Sequence, residues 1–132
     1  ALFGLLLDAF GCTSAEDLTA ALYRDREDKQ RIASLSPLVD KAAEEGDAVA
    51  ASILADAARD LLAMAEAVIR RLNLSDEPFT VYLSGSVLLK SQPVREAFTR
   101  ELTASYPQAS VLPGRQDAAW GAVYLALGQL SA

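Results

Sequence analysis

Along the first third of the chain, apolar residues recur every three or four positions, the period of helices buried on one side. Phe3, Leu6, Leu7 and Phe10 form one such set, and Gly11 supplies a residue at which a helix can turn left-handed and stop. Ser14 is placed to cap a second helix reaching about Tyr23, with Asp17 at its third position. The run Arg24-Asp25-Arg26-Glu27-Asp28-Lys29 alternates in sign and reads as a solvated connector. Ser36-Pro37 predicts an N-cap followed by proline at the first helical position, where a missing N–H costs nothing. Leu38, Val39, Ala42 and Ala43 share one face of that helix, and Gly46 ends it. Asp47 then caps the longest predicted helix, of about 25 residues. Its stripe is Val49, Ile53, Ala57, Leu61, Ala65, Val68 and Leu72, widened by Leu54, Leu62 and Ile69. Ala50, Ala51, Ala55 and Ala58 flank the stripe and let a neighbour pack closely, so the helix reads as a buried spine.

After Asn73-Leu74-Ser75-Asp76-Glu77-Pro78 the period changes to two. Phe79, Val81 and Leu83 alternate with Thr80, Tyr82 and Ser84, as a half-buried strand requires. Ser84-Gly85-Ser86 is a small-residue turn, and Ser91 is placed to cap a helix through Val94, Ala97, Phe98 and Leu102 to about Ser105. A short strand follows over Ala109-Ser110-Val111-Leu112, then a Pro113-Gly114 turn. A last helix carries Ala118, Ala119, Ala122, Val123, Ala126, Leu127 and Leu130. The chain is thus α/β, with a helical part over residues 1–73 and a βαβα part over residues 79–132. A strand–helix–strand order predicts parallel pairing through a right-handed crossover. Two parallel strands are too few for a sheet covered on both faces. Further strands are expected from a longer chain or from a partner, and the isolated piece is expected to self-associate as a homo-oligomer.

Composition narrows the chemistry. With 12 Lys+Arg against 18 Asp+Glu the net charge is −6, the wrong sign for a nucleic-acid backbone binder. There is no histidine, which removes Ser-His-Asp and Cys-His nucleophile systems and histidine-based zinc or haem sites. A single cysteine, Cys12, excludes an internal disulfide and reads as a small apolar filler. No apolar run approaches the ~18–20 residues of a membrane span, and no basic segment precedes the apolar Ala1–Leu7 as in a signal peptide. A cytoplasmic protein without a membrane partner is the expectation. The start at Ala1, within a helix, suggests a piece of a longer protein.

The segment of most chemical interest is Leu83-Ser84-Gly85-Ser86-Val87. Ligands of open parallel sheets sit beyond the carboxyl ends of the strands. A glycine there lets the backbone approach a ligand closely. By spacing alone, a plain βα turn is the simpler account of these residues, ahead of a nucleotide site. Gly121, inside the last helix, points to close packing or to backbone access. Trp120 reads as core or interface. Glu44-Glu45-Gly46-Asp47 could hold a hard metal ion, or be three solvated carboxylates at a helix junction. None of these is a catalytic constellation.

Four segments in this order carry a resemblance: Ile32-Ala33-Ser34-Leu35-Ser36-Pro37-Leu38-Val39; Ala42-Ala43-Glu44-Glu45-Gly46-Asp47-Ala48-Val49-Ala50; Leu83-Ser84-Gly85-Ser86-Val87; and Asp117-Ala118-Ala119-Trp120-Gly121-Ala122. Together they resemble the C-terminal lobe of N-acetylglucosamine kinases, of the BadF/BadG/BcrA/BcrD ATPase family in the actin-like, Hsp70-like, sugar-kinase superfamily. The resemblance implies a ribonuclease-H-like lobe, with ATP and Mg2+ in a cleft shared with an N-terminal lobe that this chain lacks. It implies that Ser84, Gly85 and Ser86 lie on the adenosine side of ATP, with Gly121 a further contact. Ser84 departs from the family's usual Gly-Gly pair. No counterpart of the phosphate loop or the catalytic aspartate is present, so the chain alone is expected to be inactive. An amino sugar is the implied second substrate. A dehydratase-activating ATPase, a non-catalytic sugar-binding regulator and a helical interaction module are the alternatives.

Overall fold

A computed structural model describes residues 1–25, 28–114, 123–124 and 126–128. Its elements are α1 (Leu2–Phe10), α2 (Ala15–Asp25), α3 (Lys29–Ala33), α4 (Ser36–Glu44), α5 (Ala48–Arg71), β1 (Phe79–Leu83), α6 (Ser86–Lys90), α7 (Gln92–Ser105) and β2 (Ala109–Pro113). The expected last helix, with Trp120 and Gly121, lies largely outside the described residues. Among the described residues no helix is long and apolar enough to cross a membrane.

The helix boundaries follow from local hydrogen bonding. Gly11, at φ 63°, closes α1: its N–H donates to Asp8 and that of Cys12 to Leu7, satisfying two terminal carbonyls. Ser14 Oγ accepts from Asp17 N–H at 3.1 Å and opens α2 as expected. The charged run after Tyr23 is less of a connector than its composition suggests. α2 continues to Asp25, and Asp28 accepts from Arg31 N–H at 2.9 Å to cap α3. Ser36 is the first residue of α4, not its cap. Ser34 and Leu35 before it are already helical, so no residue there takes the extended conformation a serine cap needs.

One residue organises the helical part. Asp47 N–H donates to the Ala42 carbonyl and, beside Gly46 at φ 87°, closes α4. Its Oδ1 accepts from Val49 and Ala50 N–H, both at 3.0 Å, and opens α5. Its Oδ2 accepts from Leu2 N–H at 2.8 Å and from the Ala1 nitrogen at 2.9 Å, which anchors α1. Leu2, Ala42 and Ala50 form a buried cluster beside these bonds. The Leu2 N–H, and then the Ala50 N–H, hold this carboxyl far below the usual carboxylate range.

The spine buries part of its widened apolar stripe: Leu54 and Ile69 are buried with Ala50 and Ala58, and Ala57, Leu61, Leu62 and Ala65 pack half-buried beside them. Val49, Ile53 and Val68, and Leu72 just past the helix end, are exposed, Val49 at 64%, as are the flanking Ala51 and Ala55. The packed face lies toward Ala50 and Ala58, where α4 and α7 meet α5 and small side chains let helix axes approach. Val94 of α7 shares a cluster with Leu54 and Ala58. Further along, Ile69 meets Leu83, Phe98 and Leu102 in the main core.

β1 and β2 pair in parallel, in register from Phe79 opposite Ala109 to Leu83 opposite Pro113, so β2 runs one residue past the predicted end. α7 is the crossover, and it buries Val94, Phe98 and Leu102. Phe79 and Tyr106 meet edge to face at 6.0 Å and fasten the far end of the helix to the sheet. On the other sheet face Thr80, Tyr82, Ser110 and Leu112 are exposed, in line with the shortage of cover that the strand count implies.

Two measurements check this packing. Ala58→Leu, 1% exposed between α5 and α7, should lower unfolding free energy by ~1–3 kcal/mol in urea, while Ala67→Leu on the exposed face should change it by less than ~0.5 kcal/mol. Asp47 has a lowered folded-state pKa, so the unfolded chain binds its proton first. Its stabilisation should be complete above about pH 4 and should drain away as the pH falls below that. Asp47→Asn should flatten that acid limb in thermal melts taken across the range.

Candidate functional site

Side by side, the two parallel strands end in glycine turns that meet different demands. At the end of β1, Leu83 is buried and Ser84, Gly85 and Ser86 are exposed. Gly85 adopts φ 87° and ψ 153°, a region essentially reserved to glycine. A β-carbon built there would touch nothing within 4 Å, so glycine serves the backbone conformation and the space above the turn stays open. At the end of β2, Gly114 N–H donates to the Leu83 carbonyl at 2.8 Å and extends the ladder by one bond. A β-carbon at Gly114 would lie 2.9 Å from that oxygen, so there glycine serves close backbone approach.

Beyond the Gly85 turn the chain winds immediately into α6, a short helix that periodicity does not reveal. Arg95 Nη1 reaches back from α7 and donates to the Leu89 carbonyl at 2.9 Å, which satisfies the end of α6. This brings Ser86, Val87, Lys90 and Ser91 opposite the start of α4. Between them lies a pocket of about 400 Å³, whose far wall is Ser34, Ser36, Pro37 and Asp40. Ser91, 6% exposed, does not cap α7 with its side chain. Its hydroxyl instead donates to Asp40 Oδ1 at 2.6 Å and joins the two walls. A larger cleft of about 590 Å³ opens between α6, α7 and the strand ends. It is lined by Leu83, Leu89, Val111, Pro113 and α7 side chains, and no residue of the Ser84-Gly85-Ser86 turn borders it.

The structure therefore brings Ser86 to a largely apolar pocket bordered by hydroxyls and leaves Ser84 and Gly85 exposed at its approach. Gly121 lies outside the described residues. Sequence reasoning did not single out Asp40 or Lys90, read Ser91 as a cap, and gave Ser34 and Ser36 only as part of a segment carrying the resemblance, with Ser36 also as a cap. The remaining signal was a serine-rich segment before α4, which carries meaning only once it is placed opposite α6.

Four hydroxyls, one carboxylate and one ammonium give the pocket both hydrogen-bond donors and acceptors beside its apolar lining. They do not suit a bare divalent cation. Among the described residues no group of three acidic or cysteine side chains could hold a metal ion. The acidic junction Glu44-Glu45-Gly46-Asp47 is accounted for otherwise: both Asp47 oxygens accept from backbone nitrogens, and the exposed Glu45 pairs loosely with Lys41 at 3.9 Å. Cys12, half-buried after α1, lies 3.7 Å from the Phe10 carbonyl.

The chain is thus a helix-rich α/β protein with a two-stranded parallel sheet, and comparison with known proteins gives its family. The model of the BadF/BadG/BcrA/BcrD ATPase family matches residues 5–126, and the chain belongs to that family. It is 33% identical over 123 residues to an N-acetylmuramic acid/N-acetylglucosamine kinase of Clostridium acetobutylicum, a match covering 93% of this chain and 40% of the relative. It is 31% identical over 125 residues to an N-acetyl-D-glucosamine kinase of Dictyostelium discoideum, covering 93% of this chain and 39% of that protein. The chain thus spans about 40% of the length of these curated relatives. No solved structure gives a significant match.

The division of labour between the two glycines is testable. Gly85→Ala forces a β-carbon into a glycine-only conformation, and Gly114→Ala drives one against the Leu83 carbonyl. Each should cost about 1–3 kcal/mol in urea unfolding, against less than ~0.5 kcal/mol for Ser84→Ala at an exposed position.

Proposed function

We propose that this chain is the C-terminal, ribonuclease-H-like nucleotide-binding lobe of an ATP-dependent kinase acting on N-acetylglucosamine or a related amino sugar. The observation that carries the reading is the Ser84-Gly85-Ser86 turn, at the carboxyl end of a parallel strand and opening onto a hydroxyl-lined pocket. The kinase activity and the sugar come from the names of the two relatives.

In this reading the adenosine lies against the turn, and bound ATP supplies the phosphoryl group that the sugar accepts. Gly85 leaves the backbone uncovered on the open side, so the nucleoside can approach without meeting a side chain. Ser84 and Ser86 flank it with hydroxyls, while Leu83 and α7 behind the turn keep it rigid. Phosphoryl transfer needs a cation site and a group that receives the sugar hydroxyl proton. Those belong to the remainder of the protein, in an N-terminal lobe across a shared cleft. The 132-residue chain alone therefore binds part of a nucleotide and turns nothing over.

Coupled measurement of ADP release with N-acetylglucosamine tests the assignment. In the full-length protein, Gly85→Val should raise the KM for ATP by the equivalent of about 1–3 kcal/mol and leave the sugar KM nearly unchanged, once circular dichroism shows the variant folded. An unchanged KM for ATP sinks the site. ADP release that ignores the sugar would make the protein an ATPase, and turnover by the isolated chain would refute the division between lobes.

A further inference from the structure

The pocket beside the Gly85 turn contains a carboxylate whose placement the fold alone does not require. Asp40 lies on α4, 51 residues from Ser91 in sequence, and accepts the Ser91 hydroxyl at 2.6 Å through Oδ1. Among the described residues neither oxygen of Asp40 meets a cation, and Oδ2 has no hydrogen-bond partner. The neighbouring Lys41 turns instead to Glu45. A carboxylate accepts at about four lone-pair sites, so most of this one's capacity faces the pocket unused. Lys90 borders the same pocket from α6 and can face an anionic group, whereas the free acceptor sites of Asp40 on the α4 wall match a donor of two hydroxyls, such as a vicinal diol.

Resting on the nucleotide-binding reading above, we propose that Asp40 recognises the ribose of the bound nucleotide by accepting from its vicinal hydroxyls, with Ser91 as the positioning residue that holds the carboxylate in place. The geometry supports this in three ways. Asp40 and Ser86 line one pocket, so a nucleoside lying against the turn brings its sugar within range of α4. Ser91 is buried and donates its proton to Asp40, which restricts the carboxylate's side-chain freedom before any ligand arrives. The two charges also orient the ligand, because Asp40 on the α4 wall favours the uncharged sugar there while Lys90 on the α6 wall suits a phosphate.

Isothermal titration of the full-length protein with ATP, 2′-deoxyATP and 3′-deoxyATP is the test. At least one deoxynucleotide should bind the unaltered protein on the order of 10- to 100-fold more weakly than ATP, the range for hydrogen bonds to a charged group. Asp40→Ala should bind ATP as weakly as that deoxynucleotide and should distinguish the two by no more than about twofold. Ser91→Ala should keep its affinity for the deoxynucleotide and lose part of the preference for ATP, a readout that mere loosening of α7 would not produce. Equal affinities for all three nucleotides in the unaltered protein overturn the proposal and leave the nucleotide site standing, as does a full ribose preference in Asp40→Ala. Absence of ATP binding to the unaltered protein overturns this inference and the proposed function together.

Discussion

Three helices depend on the hydrogen bonds of one residue. Asp47 closes α4 through its N–H and opens α5 and α1 through its two carboxylate oxygens. Helix ends otherwise leave donors and acceptors unsatisfied, and here one short side chain serves two of those ends. The arrangement sets the angle at which α4 leaves α5. That angle in turn decides which residues of α4 meet the βαβ part. Asp40 reaches Ser91 only because α4 is held at one end by Asp47 and along its length by Ala42, Val39 and Ala43 in the packed clusters.

The sheet imposes the second requirement. Parallel strands cannot be joined by a tight hairpin, so the chain after β1 must run the length of the sheet and return. α6 and α7 together make that return. The short α6 turns the chain away from the Gly85 turn, and α7 brings it back across Phe98 and Leu102. The break between them, at Ser91, falls opposite α4. A pocket at that break follows from topology as much as from any single side chain. Its walls are contributed by two segments that the long α5 separates in sequence and brings together in space.

Most of the element pattern is legible in the residues themselves: the Gly11 stop, the Ser14 and Asp47 caps, the alternating strand from Phe79 and the parallel pairing. The errors share a physical origin. α5 carries an apolar arc wider than its packed face, and periodicity marks the whole arc, whereas its neighbours cover only the side that includes Leu54, Ala58 and Ile69. Ser36 has the residue type of a cap, but capping depends on the preceding backbone, which is already helical there; Ser91 does occupy the N-cap position of α7, with its hydroxyl turned to Asp40. α3 and α6 have only five residues each, too few to carry a periodic signal. At the site, the Ser84-Gly85-Ser86 turn is visible because its residues are contiguous. The α4 wall is not, since nothing local to Asp40 announces a partner 51 residues away.

The backbone angles at Gly85 also bear on how this surface can change over generations. A single base change in a glycine codon reaches alanine, serine, valine, aspartate, glutamate, arginine, cysteine or tryptophan, and every one brings a β-carbon into a conformation that tolerates none. Ser84 and Ser86 are under no such restriction and can drift through neighbouring residue types while the turn persists. Variation among descendants of this sequence is therefore channelled to the residues on either side of Gly85 and to the facing wall of α4. The surface there can change in small steps, around a backbone corner that offers no intermediate.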